Sequence, residues 1–144
     1  MKVLDFLVCD DIRAEVGNKF SVMGCYTEGM QIQSVAPWPI PIRFCVFFRF
    51  QLDQDDAAPE SVALTIAQNG VFLSTSVNPA IILDRTRPIT FISGPLQFLL
   101  PAPGELIFSF ECKVRDRSVL GESLAFPVQL ATPPTGAQAF GAVQ

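Results

Sequence analysis

Apolar and polar residues alternate with a period of two along almost the whole chain, and the hydrophobic spacing typical of helices is almost absent. This alternation is typical of strands that bury one face and turn the other toward solvent. The 12 prolines fit sheet edges and corners better than helix interiors or central strands. The sequence therefore predicts an all-β protein.

Strand-like segments recur at intervals of about 8–12 residues and are separated by turn residues. They are 3–9, 19–26, 29–35, 42–52, 61–68, 71–77, 89–93, 96–100, 105–115 and 119–130. The segment 29–35 is weak, and Gly94-Pro95 predicts a bulge or a change of sheet. Gly17-Asn18 gives a turn signal, and Asn69-Gly70 predicts a type I′ hairpin turn, which needs positive φ at both positions.

Eight or nine such strands indicate a single-domain antiparallel β-sandwich, immunoglobulin-like or C2-like, with a closed barrel as the second choice. The length of 144 residues fits one domain. We assign 1–130 to this domain. Residues 131–144 have no alternation and few charges, so we interpret them as a flexible C-terminal tail.

The segment 42–52 shows how such a strand is covered. Its even positions form one wholly apolar face, made of Phe44, Val46, Phe48 and Phe50, and its odd positions form a mixed face, with Arg43, Cys45, Phe47 and Arg49. Two arginines with an aromatic residue between them are a pattern for binding a polyanion. Outward arginines also keep edge strands from aggregating, and we favour this second interpretation.

The absence of histidine excludes Ser-His-Asp and Cys-His catalytic sites and zinc sites that need imidazole. A net charge of −4 gives no overall attraction to nucleic acid or to an anionic membrane. No apolar run approaches the length of about 20 residues needed to span a bilayer. We therefore expect no enzyme, metal, cofactor, nucleic acid or membrane partner.

The cysteines contain no C-x-x-C pair, which is the usual metal or redox signature. They are Cys9, Cys25, Cys45 and Cys112, and each lies in an apolar run, where a free thiol behaves as a small buried hydrophobe. Reduced thiols in a cytoplasmic protein are our interpretation, and two disulfides in a secreted protein are the alternative. We reject Cys9 as a nucleophile, because the adjacent carboxylates raise its pKa.

Acidic residues suggest an alternative site. Asp10 and Asp11, together with Asp53, Asp55 and Asp56, could ligate calcium if the two loops met at one end of the sandwich. The favoured interpretation is that these carboxylates keep an apolar domain soluble.

Four residues are candidates for contact with a partner. Trp38 stands between prolines in a stiff loop and fits either an interface anchor or a cap on the open end of the sandwich. Arg13 and Glu15 flank the turn after the first strand and could pair or bind a partner, although a solvated loop explains them as well. Phe47 is an aromatic residue on a face expected to be outward.

Apolar residues make up 49% of the chain, and positions expected to face outward include Met23, Phe47, Leu99 and Ile107. Large exposed apolar surfaces usually mark interaction sites. We therefore hypothesise a non-catalytic module that binds another protein or another copy of itself. The alternative is a small ligand- or calcium-binding sandwich, or an enzyme that uses acidic end loops.

The motif Asp10-Asp11-Ile12-Arg13-x-Glu15-x-x-Asn18-Lys19-x-Ser21-x-x-Gly24 resembles the opening of a bacterial family of small all-β proteins classed as a domain of unknown function. The later Pro103-Gly104-Glu105-Leu106 segment, with Phe110, is also similar to that family. The resemblance covers most of 1–130. It implies a sandwich fold and a bacterial source, and it assigns no activity and no catalytic residue.

Overall fold

The computed structural model describes residues 1–17, 19–33, 37–82 and 84–131. Nine strands and no helix lie within these residues. The strands are β1 (Lys2–Glu15), β2 (Lys19–Tyr26), β3 (Met30–Ile32), β4 (Ile40–Gln51), β5 (Ser61–Gln68), β6 (Val71–Pro79), β7 (Ile89–Leu100), β8 (Gly104–Val114) and β9 (Arg117–Leu130). In the part of the chain that is described, no helix is long and apolar enough to cross a membrane.

The strands form two sheets that pack against each other, which confirms the β-sandwich. Sheet A has the order β2-β1-β4-β7, and sheet B has the order β3-β9-β8-β5-β6. The other strand pairs of the described residues are antiparallel, and β3 pairs in parallel with β9. The chain passes from β2 to β3 through 27–29. β3 begins beside Val128 and runs in the same direction as β9.

The predicted bounds of β2 and β5 agree with the structure, while those of β1 do not. β1 continues past Cys9 to Glu15, because residues up to Glu15 pair with β2. The acidic residues Asp10 and Asp11 therefore lie in a strand and not in a loop. The same correction applies to Arg13 and Glu15, which belong to β1 and not to the turn after it.

Two turn signals have the predicted geometry. Asn69 and Gly70 both have positive φ, at 51° and 76°, and join β5 to β6 as a hairpin. Gly94-Pro95 produces a bulge within one strand, β7, where the pairing with β4 shifts between Phe44 and Val46. The change of sheet considered for this position does not occur.

The core lies between the two sheets and is dominated by phenylalanine. The even positions of β4 and β8 point into it, and Phe48 of sheet A stacks on Phe110 of sheet B with ring centroids 3.8 Å apart. Phe6 meets Phe108 edge to face at 5.3 Å. The fully buried phenylalanines are Phe44, Phe48, Phe50, Phe108 and Phe110. The predicted inner face of the segment 42–52 is thus confirmed.

The two sides of the sandwich are closed by different contacts. On one side, Ser93 of β7 donates to the Ser76 hydroxyl of β6 at 2.8 Å, and the Asn78 amide donates to the Ile92 carbonyl at 2.8 Å. On the other side, Tyr26 and Phe126 meet edge to face at 6.3 Å. The two sheets remain separate in the described residues, so the sandwich and not the closed barrel is the observed form.

The end of β9 is held by β3. The backbone N–H of Ala131 donates to the carbonyl of Ile32 at 3.0 Å. Residues 132–144 of the predicted tail lie outside the described residues, as do Asn18 of the first turn signal and residues 34–36.

Candidate functional site

The outer face of sheet B carries three successive rows of side chains that cross four strands. In the order β6, β5, β8 and β9, the first row is Phe72, Ala67, Ile107 and Ala125. The second row is Thr75, Thr65, Ser109 and Ser123. The third row is Val77, Ala63, Glu111 and Gly121. Eleven of these twelve residues are uncharged, so this surface, which we call the row face, is almost neutral.

The row face is exposed at its large side chains. Phe72 and Val77 are 61% and 59% exposed, and both stand on the edge strand β6. Ala63 is only 5% exposed although it lies outside the core cluster, because Val77 and Glu111 stand on either side of it. The surface therefore consists of ridges and grooves parallel to the strands.

Three of the four hydroxyl groups of the middle row, those of Thr75, Ser109 and Ser123, have hydrogen-bond partners. The hydroxyl oxygens of Ser109 and Ser123 lie 3.1 Å apart, within hydrogen-bond distance, and Thr75 donates to the carbonyl of Leu64 at 3.1 Å. A polar group that keeps its hydrogen bond is far less costly to bury than one that loses it. This row can therefore be covered by another surface at small cost.

The outer face of sheet A is covered in part by its own chain. We call the β1–β2 hairpin beyond Cys9, residues 10–17 and 19–24, the arm. Phe47 pairs with Leu7 and Phe20 pairs with Ala14, seven residues further along β1, which is about 23 Å in a straight strand. The Phe20 and Phe47 rings are nevertheless 6.4 Å apart. The arm thus bends back over sheet A and half-buries Phe47.

The described residues of the motif between Asp10 and Gly24 lie in the arm. Asp11 accepts a hydrogen bond from Arg13 at 3.0 Å, which holds the pKa of its carboxyl below the ordinary value. Ser21 donates to Glu15 at 2.7 Å. Gly24 has φ +65, and a side chain there would collide with Asp10. The motif residues named here make contacts within the arm, and Arg13 pairs with Asp11 and not with Glu15.

Three cysteines lie side by side on the outer face of sheet A. Cys9 pairs directly with Cys25 on β2 and with Cys45 on β4. Cys9 and Cys45 are buried beneath the base of the arm, where the Cys45 thiol is 3.8 Å from the Asp10 carbonyl, whereas Cys25 is exposed. Burial raises the pKa of Cys9 to about 11, with smaller contributions from the neighbouring thiols and carboxylates.

The pKa of Cys45 is also raised, chiefly by burial, and burial raises the pKa of Cys112 in the core to about 11. A nucleophilic thiol needs a lowered pKa. The raised pKa values therefore favour the protonated thiol at these three cysteines, and a protonated thiol is a poor nucleophile.

The acidic residues considered for calcium do not come together. Lys2 of β1 pairs with Gln51 and Cys9 pairs with Cys45, so Asp10 lies at the opposite end of this strand pair from the loop that begins at Asp53. In the described ranges, no group of three or more His, Cys, Asp or Glu side chains is arranged to hold a metal ion.

The carboxylates of Asp53 and Asp56 instead contact the Met1 ammonium at 2.7 and 2.8 Å. Hydrogen bonding from the ammonium lowers the pKa of Asp56. The Arg85 guanidinium bonds the carbonyl oxygens of the same loop. This loop is therefore held by cations of the chain itself.

The outward arginines of β4 lie on a central strand and not on the edge strand that we expected. β4 is a central strand of sheet A, so the edge-protection interpretation of Arg43 and Arg49 is wrong. Arg49 pairs with Asp5 of the neighbouring strand at 2.6 Å. Because the charge of Arg49 is paired within sheet A, Arg49 is less available to bind a polyanion.

Trp38 lies just before β4, at the end of the sandwich, and is partly buried against the core cluster. This position agrees with the interpretation of Trp38 as a cap. Its use as a partner contact stays a prediction.

A cavity of about 610 Å³ lies between the end of β6, the following loop and β7. Its charged lining residues are Asp84 and Arg87, whose side chains are 3.5 Å apart. Asp84 also accepts hydrogen bonds from the backbone and hydroxyl of Thr86 at 2.9 and 2.6 Å. The carboxylate is thus occupied by its neighbours, and the cavity presents no acid–base pair.

The sequence predicted Ile107 as an outward apolar residue but did not predict the row face as a unit. Its signal is the small outward residues Ala63, Thr65 and Ala67 of β5, opposite the outward Ser109 of β8. Small residues at every second position predict a flat sheet surface, but which strands align them is visible only from the pairing.

Comparisons of the chain with protein-family models, with curated proteins and with solved structures found no match.

Proposed function

We propose that this chain is a non-catalytic protein-interaction module that binds its partner through the row face of sheet B. The observation that carries this proposal is the composition of the face, with eleven uncharged residues of twelve across four strands and two large apolar side chains more than half exposed. Apolar side chains lie on both sides of a row of hydroxyl residues, and exposed apolar patches are uncommon on monomers without a binding role.

The chemistry of the remaining surface supports binding over catalysis. Asp84 and Arg87, in the cavity between β6, the following loop and β7, form an ion pair, and the pKa values of Cys9, Cys45 and Cys112 are raised. The chain also has no histidine. A general base with a pKa near neutrality is the usual requirement for acid–base catalysis.

The proposal extends to the setting of the protein. Unbonded thiols at Cys9, Cys25 and Cys45, which are direct cross-strand neighbours, support a reducing compartment such as the cytoplasm. Membership of a small bacterial all-β family is part of the proposal and is supported by the motif that includes Asp11, Arg13 and Gly24.

The experiment combines mass measurement by light scattering with fluorescence of a dye that binds exposed apolar surface. The wild type is expected either to self-associate or to bind the dye. Thr65→Lys, in the middle of the row face, is expected to suppress whichever is observed, because it places a charge among uncharged rows. Thr90→Lys, the matched change on the outer face of sheet A, is expected to have no effect.

A wild-type protein that stays monomeric and binds no dye contradicts the proposal. Ala125→Lys, at an exposed position on β9, serves as a second row-face variant if Thr65→Lys does not fold as judged by its thermal melt.

A further inference from the structure

We propose that the partner of the row face is a second copy of this chain, packed face to face about a two-fold axis that runs parallel to the strands between β5 and β8. This inference rests on the proposed function, since it uses the same face. Its support is the alternation of large and small side chains from strand to strand.

Ridges and grooves alternate across the row face. In the first row, the large residues Phe72 on β6 and Ile107 on β8 alternate with Ala67 on β5 and Ala125 on β9.

In the third row, Val77 on β6 and Glu111 on β8 alternate with Ala63 on β5 and Gly121 on β9. β6 and β8 are thus ridges in both rows, and β5 and β9 are grooves in both rows.

A two-fold axis between β5 and β8 places each ridge strand of one copy over a groove strand of the other. It places β8 of one copy over β5 of the other, and β6 over β9. Ile107 then enters the groove at Ala67 of the second copy, and Phe72 enters the groove at Ala125. The same rotation sets Val77 on Gly121 and Glu111 on Ala63. A two-fold interface is self-complementary by definition, and this face meets that condition in both rows.

The middle row adds no size conflict and little electrostatic cost. The axis sets Thr75 over Ser123 and Thr65 over Ser109, so hydroxyl residues face hydroxyl residues. The Glu111 carboxylate is 3.7 Å from the Lys113 ammonium on the same strand. The charge of Glu111 is therefore partly balanced within each copy before the two faces meet.

The available area fits a weak dimer. The axis between β5 and β8 overlaps the four strands β6, β5, β8 and β9, about 4.8 Å apart, and the eight residue pairs of β5 and β8, about 3.4 Å each, give a footprint of about 520 Å². Stable interfaces bury about 600–1,000 Å² on each partner, and weak, transient interfaces bury less. The two copies are therefore expected to dissociate readily.

The first test is Ala67→Phe, which fills a groove and leaves the face apolar and uncharged. The dissociation constant of the wild-type dimer, measured by sedimentation equilibrium, is expected to rise at least tenfold, because Ile107 of the second copy no longer fits. Ala58→Phe, a matched change at an exposed position in the loop before β5, is expected to leave the constant unchanged.

The second test locates the axis. The double variant Thr75→Cys and Ser123→Cys, made with Cys25→Ser to remove the exposed native thiol, is treated with a short bis-maleimide. The two new thiols lie three strands apart in one chain, about 14 Å, but face each other across packed sheets about 10 Å apart in the dimer. Covalent dimer is expected from the double variant and not from either single variant.

The outcomes separate this inference from the proposed function. A monomer that binds the apolar dye overturns the second copy as partner and leaves the row face as a site for a different protein. A dimer that is indifferent to both Ala67→Phe and Thr65→Lys overturns both, because its contacts then lie elsewhere. A monomer without dye binding also overturns both.

Discussion

The two outer faces of this sandwich differ in how their apolar side chains are covered. On sheet A, Phe47 is half-buried by Phe20 of the arm, and Asp5 pairs with Arg49 beside it. On sheet B, Phe72 and Val77 stand free among small uncharged neighbours. An outward apolar residue therefore indicates a partner only where the chain has not already provided the cover.

The comparison also shows why the two faces differ in charge. The arm brings its own ion pair and hydrogen bonds, such as Arg13 with Asp11, to the surface that solvent sees. These polar contacts lie in the arm, while apolar side chains such as Leu99, which is 60% exposed, remain at the surface elsewhere on sheet A. The row face has no such layer, so association is its only way to bury Phe72 and its neighbours.

The largest expected loss of stability is at Phe48, in the core between the two sheets. Phe48 is fully buried and stacks on Phe110 across the core. Phe48→Ala is expected to lower the free energy of unfolding by about 3–5 kcal/mol, because it leaves a cavity between the sheets. Urea denaturation measures the loss, and a loss below about 1 kcal/mol would mean that the two sheets do not pack as described.

The next effect tests the cover on sheet A. Phe47 is adjacent to Phe48 in sequence but points outward, beneath Phe20. Phe47→Ala is expected to lower the free energy of unfolding by about 2 kcal/mol, about half the effect at Phe48.

The control is the double variant with Phe20→Ala. Aromatic pairs couple by about 0.5–1.5 kcal/mol, so the double variant is expected to lose less than the sum of the single variants. Strict additivity would show that the arm does not touch Phe47.

A smaller effect is expected from alkaline pH, through Cys9. The pKa of this thiol is raised by burial from 9.0 to about 11. The unfolded chain therefore releases the proton first as the pH rises, so the stability that Cys9 contributes is complete below about pH 9 and is lost between about pH 9 and pH 11. The urea midpoint of the wild type is expected to fall more steeply over this range than that of Cys9→Ala. Equal slopes would place Cys9 in contact with solvent.

The smallest expected effect belongs to the row face. Phe72→Ala is expected to change the unfolding free energy of dilute protein by less than about 0.5 kcal/mol, because the side chain is 61% exposed. At high concentration the same variant is expected to lose the extra stability that association gives the wild type. A large loss in dilute protein would mean that Phe72 packs within its own chain, which would remove the contrast between the faces.

The sequence predicted what depends on local pattern. The inner face of β4, the bounds of β2 and β5 and the hairpin turn at Asn69-Gly70 follow from alternation and from the need for positive φ. Each of these features is decided within a few residues of chain.

Features that depend on pairing between distant strands were not predictable in this way. The sequence predicts that β1 ends at Cys9, because alternation weakens beyond it. In the structure, pairing with β2 continues to Glu15. The row of Phe72, Ala67, Ile107 and Ala125 exists only because three separate strand registers bring these residues into line. The parallel contact of β3 with β9 joins segments almost 100 residues apart.

The pairing of β3 with β9 has a consequence for folding during synthesis. β3 precedes its hydrogen-bonding neighbour β9 by almost 100 residues, and Met30 meets Val128. During synthesis, Met30–Ile32 must therefore wait for this pairing until Val128–Leu130 have been translated. A nascent chain that stalls before Val128 would leave β3 without its partner strand in sheet B.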